Sequence, residues 1–306
     1  MSQLQDQIAE LTEEQQRELL ARLAFRRSRP SRTRFPLSSP QKRLWILEQI
    51  GADTSAYNVP AALRLEGTLN GKALAAAFGE VIRRHQSLRT VFGLDAGTGE
   101  PWQAILPYES FDFERADLTS VPSHERTTTA RNLANLESQR RFDLTVGPLI
   151  RVRLLRLDRR EHILLLTMHH IVSDGWSAGV LIQEVIGLYE ALTEGLPSPL
   201  PELSIQYVDF AAWQNKRLES GYLDKQSDFW RNRLQGPLPV LELPTRGPRP
   251  DVMTTRGAEL GFQIDAELTG RLNSLSRGEG ATLFMTLLAA FLVLIYRYTG
   301  REDIIV

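Results

Sequence analysis

Apolar and polar positions change period several times along the chain, and each change predicts an element. Leu4, Ile8 and Leu11, followed by Leu19, Leu20 and Leu23, form a helical stripe over the first 25 residues, and Thr12 with Gln15 reads as a capping box inside it. Arg26, Arg27, Arg29, Arg32 and Arg34, interleaved with Ser and Pro30, then break the pattern and read as a solvated tether. Residues 72–86 place Leu74, Phe78, Val81 and His85 on one helical face. Residues 151–157 and 162–168 read as strands, the second apolar enough to be buried on both faces. Ser177 to Leu192 is an amphipathic helix with Leu181, Val185, Leu188 and Leu192 in register, and further helices fit 205–218 and 223–234. The Pro-rich stretch LPTRGPRP at 243–250 is a connector between domains. Beyond it, Ala258, Leu260, Phe262 and Ile264 alternate as a strand over 257–264. Thr282 caps a long apolar helix to Tyr298, and Ile304–Val306 begins another strand. A chain that stops on a rising strand leads us to expect a second domain that is cut short.

Composition narrows the class. At roughly 150 residues per domain, 306 residues suggest two domains or lobes. Lys and Arg number 36 against 37 Asp and Glu, a net charge of −1 that gives no electrostatic reason to expect nucleic acid or an acidic membrane. A cysteine count of zero excludes disulfides, thiolate metal sites and a cysteine nucleophile. The longest near-apolar run, Leu283 to Tyr296 with Thr286 inside it, falls short of the about 20 residues that span a bilayer. The polar, acidic start MSQLQDQIAELTEEQQ is no signal peptide. A cytoplasmic α/β protein is the expectation.

Candidate chemistry concentrates in Met168-His169-His170-Ile171-Val172-Ser173-Asp174-Gly175-Trp176-Ser177, between a buried strand and a helix. Neighbouring side chains on a strand point to opposite faces, so His169 and His170 cannot both face one substrate or easily chelate one metal. No third zinc ligand accompanies them. One ring should face the chemistry while the other is packed. A neutral imidazole suits proton transfer near pH 7, and a pair of satisfied core histidines is the alternative. Asp174 suits a helix cap better than direct proton transfer. Gly175 permits a tight turn or a close backbone approach to a ligand.

The segment HHIVSDGWS resembles the HHxxxDG core of nonribosomal peptide synthetase condensation domains, relatives of chloramphenicol acetyltransferase. Other segments agree in order. Ser38 to Trp45 (SSPQKRLW) is similar to the family's first motif, with Pro40 where Ala is more usual. Arg84 to Phe92 (RHQSLRTVF) is similar to the second, with Gln86 for the usual Glu, and Tyr207 to Gln214 (YVDFAAWQ) to the fourth. Phe142-Asp143-Leu144, Gly147-Pro148-Leu149 and the 243–250 connector also fit, so the resemblance covers about 35–306.

The resemblance implies a chloramphenicol acetyltransferase-like α/β fold of two pseudo-dimeric lobes, with the second lobe truncated and the activity of the fragment itself left open. It divides the chain into an N-terminal helix and Arg-rich linker over 1–34, a first lobe over 35–242 and part of a second over 243–306. Phosphopantetheine arms of a donor (upstream) and an acceptor (downstream) peptidyl carrier protein would enter a tunnel from opposite sides, with no cofactor or metal held by the domain. The acceptor amine would attack the donor thioester. The family's second histidine maps onto His170 as the catalytic residue. His169, Asp174 and Gly175 fall in a supporting role, with Asp174 expected to hold the loop through an arginine, and Arg89 and more weakly Arg84 as structural residues. The loop most resembles domains that join an L donor to an L acceptor. Residues 1–25 also suit docking of an upstream synthase in trans. Two other readings are a non-catalytic carrier-docking fragment and a CoA-dependent acyltransferase, since His169 and Asp174 match an HxxxxD spacing. No nucleic acid or membrane partner is expected.

Overall fold

The computed structural model describes residues 33–50, 54–245, 247, 258 and 260–306. The helix expected over 1–25, most of the arginine tether and part of the 243–250 connector lie outside the described residues. The chain divides into two compact units, the first ending at Ser220 and the second comprising Gly221–Val306.

The first unit runs β1 (Phe35–Pro36), α1 (Ser39–Ile50), β2 (Asn58–Glu66), α2 (Gly71–Arg84), β3 (Thr90–Leu94), β4 (Pro101–Ile105), β5 (Glu114–Asp117), α3 (Ser123–Gln139), β6 (Ile150–Asp158), β7 (Glu161–His169), α4 (Gly175–Thr193) and α5 (Tyr207–Glu219). Its main sheet has the order β2-β7-β6-β5, antiparallel except for the parallel β5–β6 pair. Strand β7 is central and, as its unbroken apolar run predicts, is covered on both faces. The register sets Ile150 opposite Met168, Val152 opposite Leu166 and Leu154 opposite Leu164. These pairs share one face and pack against Leu74, Phe78 and Val81 of α2 and Leu181, Val185 and Leu188 of α4. The intervening residues Leu155, Leu157 and Leu165 meet Ala130 and Leu133 of α3 on the other face. Fully burying one such Leu, Val or Phe contributes roughly 1.5–3 kcal/mol, so this two-sided core fixes where β7 ends. Asn70 starts α2 by accepting from the N–H groups of Lys72 and Ala73 at 3.2 and 3.1 Å.

A small antiparallel sheet, β1-β4-β3, stands apart from the main one. Gly93 lies opposite Trp102 there, and a Cβ at Gly93 would sit 2.4 Å from the indole, so only glycine lets that ring lie across the strand. Leu37, Phe92, Phe142 and Leu149 from this region pack with Ile171 and Val172, tying the small sheet to the segment just past β7. Helix α5 is fastened to the start of α1. Gln214 Oε1 accepts from Ser39 N at 2.8 Å, Asn215 Nδ2 donates to Leu37 O at 2.8 Å, and the Ser38 and Tyr207 hydroxyls meet at 2.9 Å. The first and fourth motifs, 169 residues apart in sequence between those two hydroxyls, are therefore in contact.

The second unit consists, among the described residues, of helices α6 (Asp224–Arg233), α7 (Ala266–Gly278) and α8 (Leu283–Thr299). Thr282 Oγ1 caps α8 by accepting from Met285 N at 3.2 Å, and Gly300 ends it in the left-handed region at φ +66. The strands expected over 257–264 and 304–306 are not formed: residues 258, 260–264 and 304–306 are irregular. Alternation supplies one apolar face, but a strand persists only where a neighbour takes its backbone N–H and C=O groups. Both sheets belong to the first unit, and Leu260 and Phe262 stand 90% and 84% exposed. No single helix among the described residues is long and apolar enough to cross a membrane.

Candidate active site

Strand β7 ends at His169 and α4 begins at Gly175, leaving five residues to turn the chain. Val172 N donates to His169 O at 3.1 Å, and the Ser173 hydroxyl donates to the same carbonyl at 3.1 Å, closing the turn. Asp174 is extended (φ −143, ψ −175) and caps α4, its Oδ1 accepting from Ser177 N at 2.7 Å and Ser177 Oγ at 2.6 Å. The Ser177 hydroxyl and N–H hold this carboxyl below the usual aspartate range. Among the described residues the carboxylate is exposed and its hydrogen bonds go to the helix start, with no arginine beside it. Losing such a cap costs about 1 kcal/mol. Asp174→Ala is accordingly expected to lower the thermal midpoint by ~2–4 °C, and Asp174→Asn, which keeps the acceptor oxygen, to restore most of it. Calorimetry of the three proteins reads the difference.

The two histidine rings point apart. His169 is fully buried, edge-on to Phe142 at 6.0 Å, and its Nδ1 accepts from Ile171 N at 3.0 Å. A ring nitrogen that accepts carries no proton, so neutral His169 bears its hydrogen on Nε2, which lies 3.7 Å from Glu48 Oε2. Burial, and secondarily the adjacent His170, push its pKa down to about 4.

His170 is exposed to a cavity of about 840 Å³. Its N–H donates to Tyr57 O at 2.8 Å, which extends the β2–β7 register by one residue. Its Nδ1 lies 2.6 Å from Ser173 O. A carbonyl only accepts, so Nδ1 donates there and the neutral ring presents Nε2 as its lone pair. The cavity's other walls include Ser39 and Gln41 of α1, Tyr57, and Tyr207 and Gln214 of α5. Its volume falls in the range of about 300–1,000 Å³ usual for small-molecule clefts.

Gly175 opens α4 without a positive φ, and a Cβ built on it meets no atom within 4 Å. Neither the turn nor packing within the chain demands glycine at this position. Arg84 and Arg89 do not line the cavity. Arg84 is buried between α2 and α4, where Nε reaches Glu184 Oε1 at 3.2 Å and the guanidinium also donates to Pro201 O. Arg89 donates to the carbonyls of Leu106 and, at 3.4 Å, Arg83. They brace the scaffold behind the loop. Among the described residues, no group of three or more His, Cys, Asp or Glu side chains is placed to hold a metal ion.

The Tyr57 and Ser173 carbonyls that orient His170 had no signal in the sequence, since any residue type carries a backbone oxygen. Gln206 is a second such case. It joins the second motif to the fourth by donating to Arg84 O at 3.0 Å and accepting from Gln86 N at 3.1 Å. Only its position just before the Tyr207 motif hints at that.

Comparison with known proteins adds a family. A family model described as Condensation domain matches residues 31–306. A linear gramicidin synthase polypeptide of Brevibacillus parabrevis is 46% identical over 272 residues, which are 89% of this chain and 5% of that protein. Among solved structures, the X-domain from teicoplanin biosynthesis is 31% identical with a TM-score of 0.72, the match covering 89% of this chain and 58% of that one. The first condensation domain of the CDA synthetase shares the fold at 20% identity and a TM-score of 0.70, over 89% and 64% of the two chains. The chain thus spans a small part of its long curated relative and about 60% of the solved domains.

Proposed function

The chain belongs to the condensation-domain family, and from that premise we propose that it forms amide bonds for a nonribosomal peptide synthetase in the cytoplasm. The substrates are an acyl or peptidyl thioester on an upstream carrier protein and an aminoacyl group on a downstream one, each on a phosphopantetheine arm. An L donor joined to an L acceptor is the assignment, by the likeness of the HHIVSDGWS loop to that subtype. Residues 35–242 would form the first lobe and 243–306 part of the second, with 1–25 available for a synthase docking in trans.

The observation that carries this reading is His170, turned toward a cavity of suitable size with its Nδ1 proton fixed on Ser173 O. Amide formation from a thioester runs downhill, so the site needs to position two groups and manage one proton. The amine nitrogen attacks the carbonyl carbon, the C–S bond breaks, and the sulfur leaves as thiol. His170 Nε2 accepts the hydrogen bond from the attacking amine and takes the proton that the sulfur finally receives. The fixed tautomer keeps that lone pair available without a rearrangement of the ring. Asp174 and Ser177 set where α4 starts, and with it where Gly175 lies beside the reacting groups. The test is product formation from separately loaded donor and acceptor carriers, followed by mass spectrometry. An amide product is expected. Carrier binding without turnover would favour the docking reading instead.

A further inference from the structure

Behind the loop that carries His170 lies a second, smaller cavity of about 160 Å³. It shares Ser87, Val172, Ser173 and Ser177 with the wall of the large one, so the two are neighbours across a single layer of side chains. Its depth is apolar: Val81 from α2, Leu88 just past it, Met168 from β7, and Val180 and Leu181 from α4. Trp176, 84% exposed, contributes the indole at its rim. His85 is its one titratable lining side chain among the described residues. The His85 ring is already engaged, with Nε2 lying 2.6 Å from Glu184 Oε2 while the other Glu184 oxygen takes Arg84. The cavity therefore holds apolar surface and offers a charged guest no dedicated partner.

We propose that this side cavity seats the side chain of one of the two condensing residues and selects an uncharged, apolar group about the size of isobutyl or phenyl. The proposal rests on the amide-forming reading above and names the specificity of that same site. Size supports it: an apolar cavity of ~150 Å³ holds benzene. Chemistry supports it as well, since a carboxylate or ammonium entering here would lose its water without gaining a partner. Position completes the argument. Ser87, Val172, Ser173 and Ser177 line both cavities, so a substrate backbone seated beside His170 lies against the residues that border this one. Val180 then becomes a specificity-determining residue, because its side chain sets the cavity's depth from α4 and takes no part in the chemistry.

The test uses unreactive pantetheine amides, with the thioester sulfur replaced by nitrogen, bearing glycyl, leucyl, phenylalanyl or aspartyl groups. Calorimetric binding to the wild-type chain should favour the leucyl and phenylalanyl probes over the glycyl and aspartyl ones by about 10-fold or more, the scale of discrimination per methylene in an apolar pocket. Val180→Phe fills the cavity and should abolish that preference. Val180→Ala deepens it and should move the preference toward phenylalanyl, which keeps the test decisive even if the larger residue disturbs folding. Equal binding of glycyl and leucyl probes, no measurable binding of any probe, or a preference that neither variant alters would overturn the assignment. Amide formation measured in parallel separates the two ideas. A side-chain preference without turnover would leave this cavity standing and sink the amide reading, and turnover indifferent to both side chain and Val180 would do the reverse.

Discussion

His170→Ala is expected to lower amide formation by roughly 10²–10⁴-fold, the usual contribution of a positioned acid–base group, while the fold stays intact. Among the described residues the ring hydrogen-bonds Ser173 O within its own loop and is otherwise exposed to the cavity. Its backbone N–H, which does hold the strand end to Tyr57 O, survives the substitution. Loaded donor and acceptor carriers supplied to the full-length protein, with product followed by mass spectrometry, give the rate. Circular dichroism and thermal midpoint give the fold. Near-normal turnover in a well-folded variant would remove any chemical or orienting need for His170. A fall of only about 10-fold would reassign it from proton transfer to holding the amine in place.

The parts of this site that were legible in the sequence are those encoded in side-chain type and period. The apolar run of β7, the register of Leu181, Val185 and Leu188 in α4, and the histidines at the junction follow from alternation and from helical spacing. What stayed hidden is what the backbone does at long range. The carbonyl that takes the His170 backbone N–H comes from Tyr57, ahead of β2, and the wall formed by α1 and α5 depends on the Ser38–Tyr207 and Ser39–Gln214 bonds. The small sheet β1-β4-β3 also went unannounced, because Phe35–Pro36 is too short to show a period. The two failed strand expectations in the second unit share one cause. Leu260 and Phe262 carry the right alternation, but hydrogen-bonding neighbours, not alternation, make a strand. The helix-cap role of Asp174 was legible as well: a carboxylate one residue before a helix has a near partner in the first-turn N–H groups, and Ser177 supplies both an N–H and a hydroxyl.

Acid should destabilise this fold through His169 by a measurable and separable amount. In the native state the ring is buried, accepts a hydrogen bond on Nδ1 and has its pKa pushed down to about 4, against a reference near 6.5 in the unfolded chain. Above pH 6.5 the ring is neutral in both states and the native arrangement keeps its full stability. As pH falls below 6.5, the unfolded chain takes up the proton that the native state refuses, so stability declines until pH reaches about 4. The gap between the two pKa values corresponds to about 3 kcal/mol at 1.36 kcal/mol per pH unit. His169→Asn isolates this contribution, because its side-chain oxygen can still accept from Ile171 N but does not titrate in this range. Glu48 and His170 are the ionisable neighbours, and both remain in the variant. Whatever the variant loses at pH 7 from its smaller side chain, its stability should fall more slowly than the wild type's between pH 6.5 and 4. Denaturant melts across that window should therefore converge by up to about 3 kcal/mol. Parallel curves would mean that His169 protonates in place, and that the interior around Phe142 and Glu48 tolerates the imidazolium charge.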